Sequence, residues 1–230
     1  MHGVSIITST IKPQFMGNVF KNYARQKWKK KELIIILNKN DMDLNRWKQE
    51  AEKYKNASVY QVSEDMTLGE CLNYGIDQSQ HRYVAKFDDD DYYAEDYLTQ
   101  AIKTFEKTKA AIVGKRTIYM FFEKEKILTI CSTGVENQWT KKILKGGTLV
   151  LDKTYYPTIK FPHLNLGEDV GIQRLCIEKG LKMYATDRRH FSCVRHDDAI
   201  HTSRKVNHKL LKMNKIIAYT EDFKEIISHR

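Results

Sequence analysis

The first 110 residues predict an α/β fold with an open, mostly parallel, Rossmann-like sheet flanked by helices, and three observations carry that expectation. Apolar runs of strand length recur at 4–9 (VSIITS), 32–37 (ELIIIL), 57–62 (ASVYQV) and 82–87 (RYVAKF). Segments with apolar residues at helical spacing separate them, which gives a β-α-β-α-β-α-β order. The second run is a continuous β-branched stretch, as expected of a strand buried on both faces.

The helices are justified one by one. In 14–28, Phe15, Val19, Phe20 and Tyr23 share a face. In 43–54, Asp43 is the N-cap, and Leu44, Trp47, Ala51 and Tyr54 line one side. The segment 67–80 opens with Thr67 and Glu70 in capping-box spacing. In 94–105, Leu98, Ala101, Ile102 and Phe105 point inward.

Beyond residue 110 the pattern changes. Runs at 110–122 and 126–131 read as strands joined through 123–126, and 146–151 (GGTLVL) reads as a short strand. A helix over 168–180 ends at Gly180, then 181–186 and 190–196 are strand-like. Residues 205–229 read as a terminal helix or pair of helices. The expected organisation is a main domain over 1–204, with a nucleotide-binding half (1–110) and a mixed-strand acceptor half (111–204). A C-terminal helical extension follows over 205–230.

Composition narrows the function classes. The hydrophobic fraction of 41% supports a core, and no apolar run approaches the ~20 residues of a membrane span. The first residues do not resemble a signal peptide. Cys71, Cys131, Cys176 and Cys193 form no Cys-x-x-Cys pair, so they read as reduced thiols of a cytoplasmic protein rather than a zinc site. The net charge of +10 favours anionic partners, including a peripheral contact with a membrane surface. The lysines are dispersed along the chain, which fits a solvated surface, and no nucleic-acid partner is expected.

The sequence FDDDDYY at 87–93 carries the chemistry. Four adjacent carboxylates repel one another by about 4 kcal/mol per close pair at an effective dielectric of ~20. They end the fourth strand, at the carboxyl edge where open parallel sheets bind ligands. On an extended backbone Asp88 and Asp90 share one face, with Asp89 and Asp91 on the other. Two convergent carboxylates suit Mn²⁺ or Mg²⁺, and such an ion can bridge them to a diphosphate. The plain alternative is an acidic helix entry, with Asp91 or Glu95 as a cap and Lys86 pairing one carboxylate. In this reading Asp89 is the least constrained of the four.

The motifs together resemble family 2 glycosyltransferases of the GT-A fold, over at least residues 4–195. VSIITST resembles the family's first strand, and Gly69, Asn73 and Gly75 its Arg-Asn-x-Gly helix, with Leu72 in place of the arginine. Asp88, Asp90 and Asp91 match its Asp-x-Asp-Asp, and Glu168-Asp169 its later Glu-Asp pair. VRHDDAIHTS resembles its terminal Arg-His region. Within the family the resemblance leans toward bacterial cell-envelope and spore-maturation enzymes.

The resemblance implies an inverting, metal-dependent transfer from a nucleotide sugar, with UDP as nucleotide, to a hydroxyl of a glycan or surface polymer. It assigns the metal to Asp88 and Asp90, with His196 as a further ligand, and the base role to Asp169, supported by Glu168. Thr8, Thr10, Asn38, Asp41, Asn73, Asp88 and Arg195 would bind the nucleotide. The segment ILNKNDMD departs from the family's acidic pattern after the second strand and leaves the base identity open. His201 and Arg204 are weaker versions of the terminal motif. His163 would face the acceptor, and Gly146-Gly147 would let backbone approach the sugar or simply make a tight turn. Trp139, Tyr92, Tyr93, Tyr155 and Tyr156 either stack on sugar or pack in the core. Two rivals remain: a nucleotidyltransferase, which would want a Gly-rich loop after the first strand, and a non-catalytic carbohydrate or nucleic-acid binding module.

Overall fold

The computed structural model describes residues 2–196 and 204–229. Its strands form two sheets among those residues. The larger runs in the order β3-β2-β1-β4-β10-β6-β11-β9. Here β1 is Val4–Thr10, β2 Lys31–Leu37, β3 Ala57–Gln61 and β4 Tyr83–Lys86, all parallel. The smaller sheet contains β5 (Tyr92–Tyr93) at one edge, then β12, β7, β8 and β13 in that order from it. In the larger sheet β6 is Ile112–Lys115, β9 Gln138–Thr140, β10 Val150–Asp152 and β11 Met183–Thr186. In the smaller one β7 is Ile118–Phe122, β8 Ile127–Cys131, β12 Phe191–Arg195 and β13 Lys215–Tyr219.

Helices cover both faces of the larger sheet, as its doubly buried strands require. On one side lie α1 (Met16–Arg25), α2 (Leu44–Ala51) and α4 (Tyr97–Thr108), which bury Val19, Phe20, Trp47, Leu98 and Phe105 with Val4 and Ile6. On the other lie α3 (Leu68–Gln78) and α5 (Glu168–Glu178), which bury Cys71, Leu72, Ile76 and Ile172 with Ile7, Ile34 and Val84. Asp43 caps α2 by accepting from the Arg46 N–H at 3.0 Å, and Thr67 and Glu70 close a full capping box on α3. Gly180 sits at φ +71 just past α5, as expected of a C′ glycine. The four cysteines are unpaired. Among the described residues no helix is long and apolar enough to cross a membrane.

Three sequence expectations need correction. The run 110–122 is two strands in different sheets, because the chain leaves β6 at Lys115 and enters β7 three residues later. The segment 146–151 begins as a 3₁₀ turn, Gly146–Thr148, and only then becomes β10. The C-terminal stretch is not purely helical. Strand β13 separates α6 (Arg204–Met213) from α7 (Lys224–His229) and pairs antiparallel with β8. Its sequence KIIAY is β-branched in the middle, which favours the strand over a continuous helix.

One buried carboxylate pins β10 to β4. Asp152 is 4% exposed, accepts from Arg82 through Nε and Nη2 at 3.1–3.2 and 2.7 Å, and also accepts from Thr154. Burial pushes its carboxyl up, but these bonds outweigh burial and hold it below the usual range. Its contribution is therefore present at neutral pH and fades as pH falls through the carboxylate range. Asp152→Asn should lose about 1–2 kcal/mol at pH 7 in urea unfolding, since half-exposed Arg82 screens part of the pair. The gap to wild type should close below about pH 4; a constant gap would show that charge is not its source.

Candidate active site

A cleft of about 1150 Å³ opens at the carboxyl edge of the parallel strands. The loop after β1, the aspartate run after β4, the turn before β10 and the start of α5 all reach it.

The aspartate run is not extended. The chain bends at 89–91 before entering β5. Its backbone carbonyls are held by amides from α1. Asn18 Nδ2 donates to the carbonyls of Asp89 and Asp91 at 2.8 and 2.9 Å, and Asn22 Nδ2 to that of Asp91 at 2.9 Å. Gln26 Nε2 donates to Tyr93 and Ala94. These three residues are spaced four apart, so they lie on one helix face. Tyr93, fully buried and stacked on Phe87 at 3.7 Å, completes the clamp. Its hydroxyl accepts from the Asp88 N–H at 2.8 Å and donates to the Gly147 carbonyl at 2.6 Å.

The four carboxylates have different surroundings. Asp89 and Asp91 are each 6% exposed, whereas Asp88 and Asp90 are half-buried and face the cleft. Asp89 accepts from the Thr10 hydroxyl and pairs with Lys12 at 3.3 Å. Burial, then the charge of Asp90, pushes its carboxyl up to about 6. Asp90 pairs with Lys12 at 3.0 Å, and Asp88 pairs with Lys86. Asp91 accepts from the Val194 N–H at 3.0 Å, and burial raises its carboxyl strongly. Burial alone would lower the Lys86 ammonium, but Asp88, Glu168 and Asp169 outweigh it and keep the lysine charged. Asp89, the least constrained residue on sequence grounds, is thus firmly held. The helix-entry alternative does not describe Asp91 or Glu95, because Asp96 is the N-cap of α4 and makes no side-chain cap bond.

The Gly146-Gly147 dipeptide joins the two carboxylate groups. A Cβ on Gly147 would sit 2.7 Å from Asp88 Oδ2 and 2.8 Å from Asp91 Oδ2. A Cβ on Gly146 would sit 2.3 Å from Asp169 Oδ2. Neighbouring Cα atoms are about 3.8 Å apart, so side chains far apart in sequence meet over two adjacent residues. Neither glycine has positive φ, so close approach is their reason. Asp88 and Asp91, three residues apart, thus both approach Gly147, because the bend at 89–91 breaks the two-residue alternation. Glu168 and Asp169 open α5, where the helix dipole favours acids. Glu168 is buried and burial raises its carboxyl, whereas half-buried Asp169 lines the cleft.

Residues 5–160 match the family described as glycosyl transferase family 2. The chain belongs to that family. The transferase also shares its fold with solved structures. One is S. aureus TarS 1–349 in complex with UDP-GlcNAc, with TM-score 0.64, 15% identity and coverage of 92% of this chain and 65% of that one. Another is the mannosyltransferase PcManGT from Pyrobaculum calidifontis in complex with GDP-Man and Mn²⁺, with TM-score 0.64, 15% identity, and 87% and 58% coverage. The transferase thus spans under two thirds of the length of these structures. No curated protein matches its sequence. The fold is GT-A.

Several residues singled out in the sequence lie elsewhere in the transferase. Thr8 is buried within β1, away from the cleft lining, whereas Thr10 reaches it. Asp41 points outward and pairs with Lys39; Lys39, Glu64 and Asp65 line the cleft instead. Asn73 is committed to structure. Its amide donates to the Phe161 carbonyl at 2.8 Å and accepts from the Phe161 N–H at 3.1 Å, which fastens the segment leading to α5.

Asn38 lines the cleft, with its amide donating to the Ser63 carbonyl at 2.7 Å. Arg195 also lines it and donates to Asn207 at 3.0 Å. His196 has both ring nitrogens engaged, with Glu123 at 2.9 Å and the Asp90 carbonyl at 3.1 Å, so ligation would require it to release one. His163 is exposed beside Glu70. Tyr92 packs under Arg25 and Phe223, and the Tyr156 hydroxyl donates to the Asn73 carbonyl. Tyr155 packs against the buried cluster, and half-exposed Trp139 meets Tyr184 edge-on. His201 and the Arg204 side chain lie outside the described residues. Sequence reading missed Lys12, Asn18, Asn22 and Gln26; the four-residue spacing of the amides was the available signal.

The close contacts at the dipeptide give a direct check. Gly147→Ala should lower stability by about 1–3 kcal/mol in urea unfolding. Gly17→Ala, where nothing lies within 4 Å on a helix, should raise it by about 0.5–1 kcal/mol. A Gly147→Ala protein as stable as wild type would contradict the steric role.

Proposed function

We propose that the protein transfers a sugar, with inversion, from a UDP-sugar to a hydroxyl of a glycan or other surface polymer. The observation that carries this reading is the meeting of Asp88 and Asp169 over Gly147 and Gly146. This closeness supports a site in which a metal-held diphosphate and a cleft-facing carboxylate would reach the same sugar ring.

Asp88 and Asp90 are suited to hold Mn²⁺ or Mg²⁺. Among the described residues no three His, Cys, Asp or Glu side chains form a closed metal cage. Two carboxylates that face a cleft fit such an ion all the same, because substrate phosphates and water commonly complete its shell. When bound, it supplies positive charge against the leaving diphosphate. The PcManGT structure in complex with Mn²⁺ supports this reading.

Asp169 acts as the base. It faces the cleft from the start of α5 and takes the proton of the acceptor hydroxyl as that oxygen attacks the anomeric carbon. The bond to the diphosphate breaks on the opposite face, which inverts the centre. The diphosphate leaves without a proton, so one base suffices. Glu168, buried behind Asp169 and near Lys86, supports its position. Asn38 and Thr10 stand at the cleft end where the nucleoside would lie.

Asp169→Asn should cut transfer from a UDP-sugar panel by about 100-fold or more, with Mn²⁺-dependent UDP affinity within about threefold of wild type. Asp90→Ala should instead weaken that affinity about tenfold or more by calorimetry. Full transfer by Asp169→Asn would remove the base assignment.

A further inference from the structure

Two lysines serve the cleft-facing aspartates, and they differ in freedom. Lys86 rises from strand β4 with a side chain only 8% exposed, enclosed beside Asp88. Lys12 comes from the loop after β1, its side chain 16% exposed and in the cleft wall. Its ammonium lies 3.0 Å from Asp90 Oδ2 and 3.3 Å from Asp89 Oδ1, with the Phe15 ring centroid at 5.4 Å.

Asp90 is also one of the two carboxylates suited to a divalent ion. A carboxylate oxygen that already accepts a short charge-assisted bond is a poorer ligand. A second cation beside it would also repel the ammonium. A lysine on a flexible four-carbon stem can move its head several ångströms. The nearest new anion would be the donor's diphosphate in the same cleft.

We propose that Lys12 is an exchangeable counter-cation: its ammonium holds Asp90 in the empty cleft and turns to the donor's diphosphate when a divalent cation takes that carboxylate. The proposal rests on the nucleotide-sugar reading of the cleft. Lys86 is the fixed counterpart and stays with Asp88. In this scheme the metal and the nucleotide favour each other's binding, because each gives Lys12 a reason to leave Asp90 or a place to go.

The test is Lys12→Met, with Lys12→Arg as the charge-keeping variant. Mn²⁺ binding is measured first without nucleotide, by calorimetry or by the electron paramagnetic resonance signal of the free ion. UDP binding is then measured with Mn²⁺ saturating. Lys12→Met should bind Mn²⁺ alone about threefold or more tighter than wild type, because its competitor is gone. The same variant should bind UDP about tenfold more weakly in the presence of Mn²⁺. Lys12→Arg should stay near wild type in UDP binding.

Unchanged or weaker Mn²⁺ binding by Lys12→Met overturns the exchange. Undiminished UDP binding overturns the turn to the diphosphate. The first arm contains no nucleotide, so it judges Lys12 even if the wild-type protein fails to bind UDP, a failure that would count against the donor assignment instead. Should Lys12→Met not fold, Lys12→Gln carries the same expectations.

Discussion

The site depends on how the backbone from Asp89 to Ala94 is satisfied. That stretch bends at 89–91 and then forms the two-residue edge strand β5, which pairs with β12 on one side only, so several of its carbonyls lack a sheet partner. Buried carbonyls without partners are costly. Asn18, Asn22 and Gln26 provide those partners from one face of α1. Because the backbone is held by neutral amides, the aspartate side chains are left to serve other groups. The clamp also ties α1 to the 89–94 segment and so to β5 of the smaller sheet, and the Lys12 loop that leads into α1 is placed by the same contacts.

The acidic run is consequently not one block of charge. Asp91 is a buried acceptor for β12, and Asp89 ties the β1 loop through Thr10. Asp88 and Asp90 are the less buried of the run's cleft-lining carboxylates, each beside a lysine. Burial by itself would sharpen the repulsion; it is relieved by the upward shift of the Asp89 and Asp91 carboxyls, by hydrogen bonds and by resident ammonium groups. The metal that the run suggests would then enter a site whose charges already have partners.

Much of the fold was legible because it is written locally. The four parallel strands, the capping box at Thr67 and Glu70 and the C′ glycine at 180 follow from patterns a few residues long. The family resemblance singled out the Glu168-Asp169 pair and the acidic run singled out Asp88 and Asp90, and all four line the cleft. What was missed depends on distant partners. Asn73 looked like a ligand residue, but its role is set by Phe161, 88 positions away. Strand β13 exists because β8 offers it an edge, which no local pattern announces. The alternation argument for Asp88 and Asp90 assumed an extended chain, and it failed at the bend while still giving the right two exposed residues.

Strand β10 runs against its neighbours β4 and β6. Its beginning therefore lies at the edge where the parallel strands end, and Gly146-Gly147 arrives there with no crossover helix. The register Val150↔Ala85 locks that arrival to β4. The exposed 123–126 turn between β7 and β8 can then change in length or shape without displacing the dipeptide. In engineering terms, the floor of the cleft is anchored by strand pairing, so an insertion at that turn would leave Asp88 and Asp169 against the same two glycines.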